Sequence, residues 1–74
     1  MDYQNIIFKI KENTAIVKLN RTEVLNSFNY EMADELLNAL EECEKNGNIR
    51  AILLSSEGRA FCAGQDLEEA TKKD

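Results

Sequence analysis

The residues of this chain best suited to chemistry lie together in Ser55-Ser56-Glu57-Gly58-Arg59-Ala60-Phe61-Cys62-Ala63-Gly64-Gln65-Asp66-Leu67. Small residues here (Ala60, Cys62, Ala63 and Gly64) let a backbone approach a ligand closely, and Gly64 reaches φ values that other residues avoid. Asp66 followed by Glu69 fits a capping box, which predicts a helix starting just after Gln65. Backbone N–H groups at such a start point outward in a favourable dipole and bind developing negative charge. The chemistry on offer is therefore stabilisation of an oxyanion by main-chain donors. It is not that of a phosphate-binding P-loop, because the glycine spacing differs and no Lys-Ser/Thr pair follows. Cys62 is a poor nucleophile candidate, since the chain has no histidine to activate it. On spacing alone, a plain glycine turn leading into a capped helix accounts for the same residues.

Composition narrows the rest. The chain has 74 residues, of which 43% are apolar and none is proline. A chain of this length is one small domain that buries roughly 60% of its unfolded surface. The net charge of −5 argues against a nucleic-acid partner held through its phosphates. No apolar run approaches a membrane span of about 18 residues. The start, Met1-Asp2-Tyr3-Gln4-Asn5, has neither the basic residues nor the apolar block of a secretion signal, so a cytoplasmic location is expected. Cys43 and Cys62 are far apart and without histidine, which excludes the usual zinc patterns; both are expected to be free thiols.

The elements that must position the loop follow from hydrophobic period. Ile6, Phe8 and Ile10 alternate with Ile7, Lys9 and Lys11, and Ala15, Val17 and Leu19 alternate about Lys18. Two such runs around Glu12-Asn13 predict an antiparallel hairpin over 6–20. Ala33, Leu36, Leu37, Leu40 and Cys43 form one stripe of a helix over 29–46. Asn29 is its N-cap, Glu31 and Lys45 suit its dipole, and Gly47 is expected to close it in the left-handed conformation. The unbroken apolar run Ala51-Ile52-Leu53-Leu54 predicts a strand over 49–55, buried on both faces and parallel to a hairpin strand. The order is ββαβ, an α/β arrangement with the loop over 58–66 at the end of a parallel strand, where such folds place ligands. One helix covers only one face of a sheet. The second layer must come from other chains or from a larger body.

Four segments then carry a resemblance: Leu19 to Phe28, Met32 with Glu35-Leu36, Ile49 to Leu54, and Gly58 to Leu67. In this order and spacing they resemble the N-terminal signature of the crotonase family of enoyl-CoA hydratases and isomerases. The ending Gly64-Gln65-Asp66-Leu67 is similar to that of its phenylacetyl-CoA-type isomerase subgroup. The resemblance implies the first, ββαβ portion of the crotonase ββα spiral, and an acyl-CoA thioester as ligand, with coenzyme A as part of the substrate and no separate cofactor or metal. By position, the Gln65 N–H would be one of two oxyanion donors to the thioester carbonyl. Ala63, Gly64, Gln65, Asp66 and Leu67 would line the coenzyme A site, and Glu23, Val24 and Leu25 would border its pantetheine and phosphate path. Asp66 would shape the loop and cap the following helix.

The resemblance also marks departures. Thr22 stands where the family usually has proline, and Glu23 offers no positive charge to a phosphate. The second oxyanion glycine and the acid/base carboxylates of the family match no position here; Glu57, Glu68 and Glu69 read as surface charges or caps. The family reaction is hydration or double-bond isomerisation of an enoyl thioester through a stabilised enolate. This chain is expected to carry half of that site and, alone, no turnover. It is completed by a C-terminal remainder of the same fold, or it acts as a coenzyme A-binding module without catalysis, or it is a self-associating structural piece.

Overall fold

The computed structural model describes residues 2–66. Its elements are strand β1 (Ile6–Lys11), strand β2 (Thr14–Leu19), a single 3-10 turn (Thr22–Val24), helix α1 (Tyr30–Lys45) and strand β3 (Ala51–Ser56). Among these residues no helix is long and apolar enough to cross a membrane. The sheet order is β1-β2-β3, with β1 and β2 antiparallel and β2 and β3 parallel. The expected ββαβ unit is thus present, with the hairpin turn at Glu12-Asn13 and Glu12 at a φ of 56°.

Register explains which side chains meet the helix. Ile6, Phe8 and Ile10 pair with Leu19, Val17 and Ala15, and the last three pair on their other side with Ser56, Leu54 and Ile52. Residues paired across a sheet share a face, so this set points toward α1. Ala15, Val17 and Leu19 are fully buried there against Met32 and Ala39, and Ile6 joins them at 3% exposure. Each large side chain removed from water in this way contributes about 1.5–3 kcal/mol. Ile10 is half exposed, at the rim of an open cleft of about 450 Å³ that it shares with Tyr3, Phe8, Asn38 and Glu42.

Three expectations need correction. The buried stripe of α1 is Met32, Glu35, Ala39 and Cys43, with Leu36 partly covered, while Ala33, Leu37 and Leu40 face outward. The helix is rotated because the Glu35 carboxylate is drawn inward by N-terminal donors. It accepts from the backbone N–H groups of Gln4 (3.0 Å) and Asn5 (2.8 Å) and from Asn5 Nδ2 (3.0 Å), so a 4%-exposed charge is fully satisfied. Helix closure belongs to Asn46 instead of Gly47. Asn46 takes an extended conformation, donates its N–H to Glu42 O and Cys43 O, and accepts from the N–H of Asn48 and of Ile49, leaving Gly47 no need for a positive φ.

The third correction concerns β3, which is a strand but not a buried one: Ile52, Leu53 and Leu54 are 45%, 56% and 45% exposed. The helix lies over β1 and β2, and β3 sits at the sheet edge with its apolar side chains uncovered on both faces. Elsewhere the helix follows its sequence. The Asn29 side chain caps it by accepting from Met32 N–H at 2.8 Å, with Glu31 in the first turn and Lys45 in the last. Both cysteines are free thiols, Cys43 buried and Cys62 half-buried. Burial, and then the nearby Glu42, push the Cys43 thiol pKa up. Tyr3 is raised by burial first and then by Glu42, Glu35 and Cys43; its hydroxyl donates to Asn38 Oδ1 at 2.6 Å.

Candidate functional site

Two loops leave the same end of the sheet, one after β2 (residues 20–29) and one after β3 (residues 57–66). The first is shaped by its own turns. Leu25 N–H donates to Thr22 O, Asn26 N–H to Arg21 O and Ser27 N–H to Val24 O. This winding sets Leu25 and Asn26 at φ 54° and 59°, a left-handed pair without glycine. A leucine so placed costs about 1–2 kcal/mol, and the turn bonds offset it. Glu23, Val24 and Leu25 are left exposed.

The second loop opens with Glu57 N–H donating to Leu19 O, then turns at Gly58 with a φ of 80°. A Cβ on Gly58 would stand 2.8 Å from Thr22 Cγ2, so glycine is needed for both conformation and space. Here the two loops touch. Gly64, at a φ of 95°, has open space around its missing Cβ and serves conformation only. Its N–H lies 3.4 Å from Cys62 Sγ.

Three residues of the first loop grip the second. Arg21 Nη2 meets Asp66 Oδ2 at 3.2 Å, with the side chains 13% and 17% exposed, and Arg21 Nη1 donates to Ser27 O at 2.7 Å. Asn26, 1% exposed, donates through Nδ2 to Glu57 O and to Ala60 O, both at 2.8 Å, and accepts from Arg21 N–H at 2.6 Å. Phe28 closes the set through its main chain, donating to Gly64 O (2.7 Å) and accepting from Asp66 N–H (2.6 Å).

These last two bonds make a parallel bridge between Phe28 and Gln65. In such a bridge the residue between the two bonded peptides turns its own N–H and C=O away from the partner strand. Gln65 is that residue. Its N–H is outward and makes no hydrogen bond to the described residues, and its side chain is exposed. Ala63 and Gly64 are exposed beside it, and Asp66 is half-buried under Arg21. The arrangement is chemically that of a rigid main-chain donor at a surface. Two carboxylates of the described loop are engaged, Asp66 with Arg21 and Glu57 with Lys18 at 3.7 Å.

Comparison with known proteins decides the lineage. The profile of the family described as enoyl-CoA hydratase/isomerase matches residues 9–74. The chain belongs to the enoyl-CoA hydratase/isomerase family. A probable enoyl-CoA hydratase of Rhodobacter capsulatus is 46% identical over 90% of this chain and 25% of its own length. The 1,2-epoxyphenylacetyl-CoA isomerase of Escherichia coli is 44% identical over 86% of this chain and 24% of its own. An enoyl-CoA hydratase structure from Geobacillus kaustophilus superposes with a TM-score of 0.93 at 34% identity, covering 100% of this chain and 29% of that one. The chain therefore spans about a quarter of the length of the curated relatives it matches, and its ββαβ unit is that of the crotonase fold.

Of the residues singled out in the sequence, the structure brings Asp66 into the clamp with Arg21 and sets Gln65 in the bridge with Phe28. Glu23, Val24 and Leu25 lie on the partner loop, and no hydrogen bond joins them to Ala63, Gly64 or Gln65. Leu67 and the capped helix expected after Gln65 lie outside the described residues. Sequence reasoning assigned no role to Arg21, Asn26 or Phe28, although all three lie in the family signature of this enoyl-CoA hydratase/isomerase chain. A usable signal was Asn26 itself, since asparagine is among the few residues that enter the left-handed region readily.

Proposed function

We propose that the loop 60–66 presents the Gln65 N–H to the thioester carbonyl oxygen of an acyl-CoA, as one of two oxyanion donors of an enoyl-CoA hydratase or isomerase. The observation that supports this most directly is the Phe28–Gln65 bridge, which aims that N–H outward from a loop fixed at both ends. A pre-aimed donor stabilises the charge that gathers on oxygen in an enolate-like transition state without reorganising; single donors of this kind contribute about 2.7–4 kcal/mol. Exposed Ala63 and Gly64 leave room for the main chain to approach coenzyme A, and Glu23, Val24 and Leu25 border its path from the facing loop. Protonation and deprotonation of the substrate need a carboxylate that is not already held. Asp66 is held by Arg21, and no carboxylate here matches the acid/base positions of the family, so on this reading the chain by itself binds without turnover.

Titration of 15N-labelled chain with butyryl-CoA, a saturated thioester that cannot react, tests the reading. Saturable shifts centred on Ala63, Gly64 and Gln65 are expected. A folded sample unmoved at millimolar ligand would sink the claim that this chain recognises coenzyme A. A second reading, self-association, has its own observation in the uncovered apolar residues of β3; oligomers indifferent to butyryl-CoA would favour it.

A further inference from the structure

We propose that Asn26 is a positioning residue for the 57–66 loop, holding its first turn so that the Phe28 bridge can fix the direction of the Gln65 N–H. The inference rests on the acyl-CoA reading for its function, and on geometry alone for its structural content. Asn26 is 1% exposed, and its carboxamide is fully used: one acceptor bond from Arg21 N–H and donor bonds to Glu57 O and Ala60 O. The two accepting carbonyls bracket the Gly58 turn. Two residues later, Phe28 holds Gly64 and Asp66. Side chain and main chain of one short segment therefore grip the loop at its beginning and at its end, with Gln65 inside the second grip.

No other side chain meets the same demand. The position needs a left-handed φ of 59°, an acceptor and two donors on one short planar group. Aspartate keeps the shape and the acceptor but turns a carboxylate toward two carbonyl oxygens. The Arg21 N–H still donates to it and favours the charge, but burial and the two facing carbonyl oxygens oppose it, and its pKa rises. The neutral acid then donates one O–H to one of the two carbonyls and restores half of the grip.

That reversal separates positioning from a bulk contribution to stability. Spectra of the 15N-labelled Asn26→Asp chain are compared with the parent from neutral to mildly acidic pH, with and without butyryl-CoA. At neutral pH the Gly64, Gln65 and Asp66 amides move from their parent positions. The Phe28 and Asp66 amides exchange faster, while Val17 and Leu19 in β2 keep their protection. Affinity for butyryl-CoA falls roughly tenfold, the equivalent of about one hydrogen bond. Acidification returns the loop amides toward the parent and recovers part of the affinity.

Asn26→Gly, which tolerates the positive φ and adds no charge, gives the same loop shifts without the return at low pH. Loop amides that stay in place in either folded variant overturn the proposal. So does global loss of β2 protection in both, because a positioning role leaves the hairpin intact. The amide positions decide the role of Asn26 whether or not the parent binds butyryl-CoA, so failure of the acyl-CoA reading is told apart from failure of this one.

Discussion

The contact between Gly58 and Thr22 gives the sharpest quantitative test of how the two loops fit. In Gly58→Ala the new methyl stands 2.8 Å from Thr22 Cγ2 and 3.3 Å from Thr22 Cβ, on a residue with a φ of +80°. The backbone contribution for a non-glycine residue in left-handed space is about 1–2 kcal/mol. Forcing a methyl into an occupied space adds about 1–3 kcal/mol. Together they give a loss of roughly 2–5 kcal/mol, large against the ~4–11 kcal/mol expected of a chain this short. Thr22→Ser removes Cγ2, and with it the nearer contact, but leaves the φ requirement untouched. The double variant should therefore recover about 1 kcal/mol relative to the sum of the single ones. Urea unfolding of all four proteins, followed by far-ultraviolet circular dichroism, measures each corner of the cycle. A Gly58→Ala chain within about 0.5 kcal/mol of the parent refutes the strain argument. A cycle without coupling refutes the contact while sparing the backbone part.

Two further outcomes follow from the fold. Tyr3 and Cys43 both have pKa values raised on folding, so their stabilising contribution is intact below their unfolded values and is lost as pH climbs through the folded ones. Thermal stability should hold up to about the ordinary thiol value and fall above it; Tyr3→Phe with Cys43→Ala should flatten that decline, and an unchanged decline refutes the assignment. At the sheet edge, Leu53→Lys changes a residue that is 56% exposed and should alter stability by no more than about 0.5 kcal/mol. If β3 drives self-association, the same change should shift sedimentation toward monomer, and oligomers that persist unchanged remove β3 as the contact.

The parts of the structure legible in the sequence are those decided locally. Alternation set the hairpin, because inward and outward positions of β2 differ plainly in character (Ala15, Val17 and Leu19 against Lys18). Asn29 announced the helix start, because a cap depends on residues only three apart. What escaped depends on distant partners. The helix carries two apolar stripes, and the Met32–Ala39 side turns inward, where Glu35 meets the N–H groups of Gln4 and Asn5 and Met32 and Ala39 meet the hairpin core. The composition of β3 promises two covering layers, yet burial is a property of neighbours, and the helix sits on the other strands. At the loop, the glycine turn at Gly64 was readable from residue types, whereas the grip of Asn26 on Glu57 and Ala60 joins residues 31 and 34 apart. No local pattern encodes such a bond.

The Phe28–Gln65 bridge is built from peptide atoms alone. Its shape is consequently indifferent to which side chain stands at position 65, and that position is free to drift. The constraint is displaced onto residues behind the exposed crest: a glycine that must lack a methyl, an asparagine that must lack a charge, an arginine that must keep one. A tolerance map of this chain should accordingly look inverted, permissive at the loop's exposed crest and strict in its foundations.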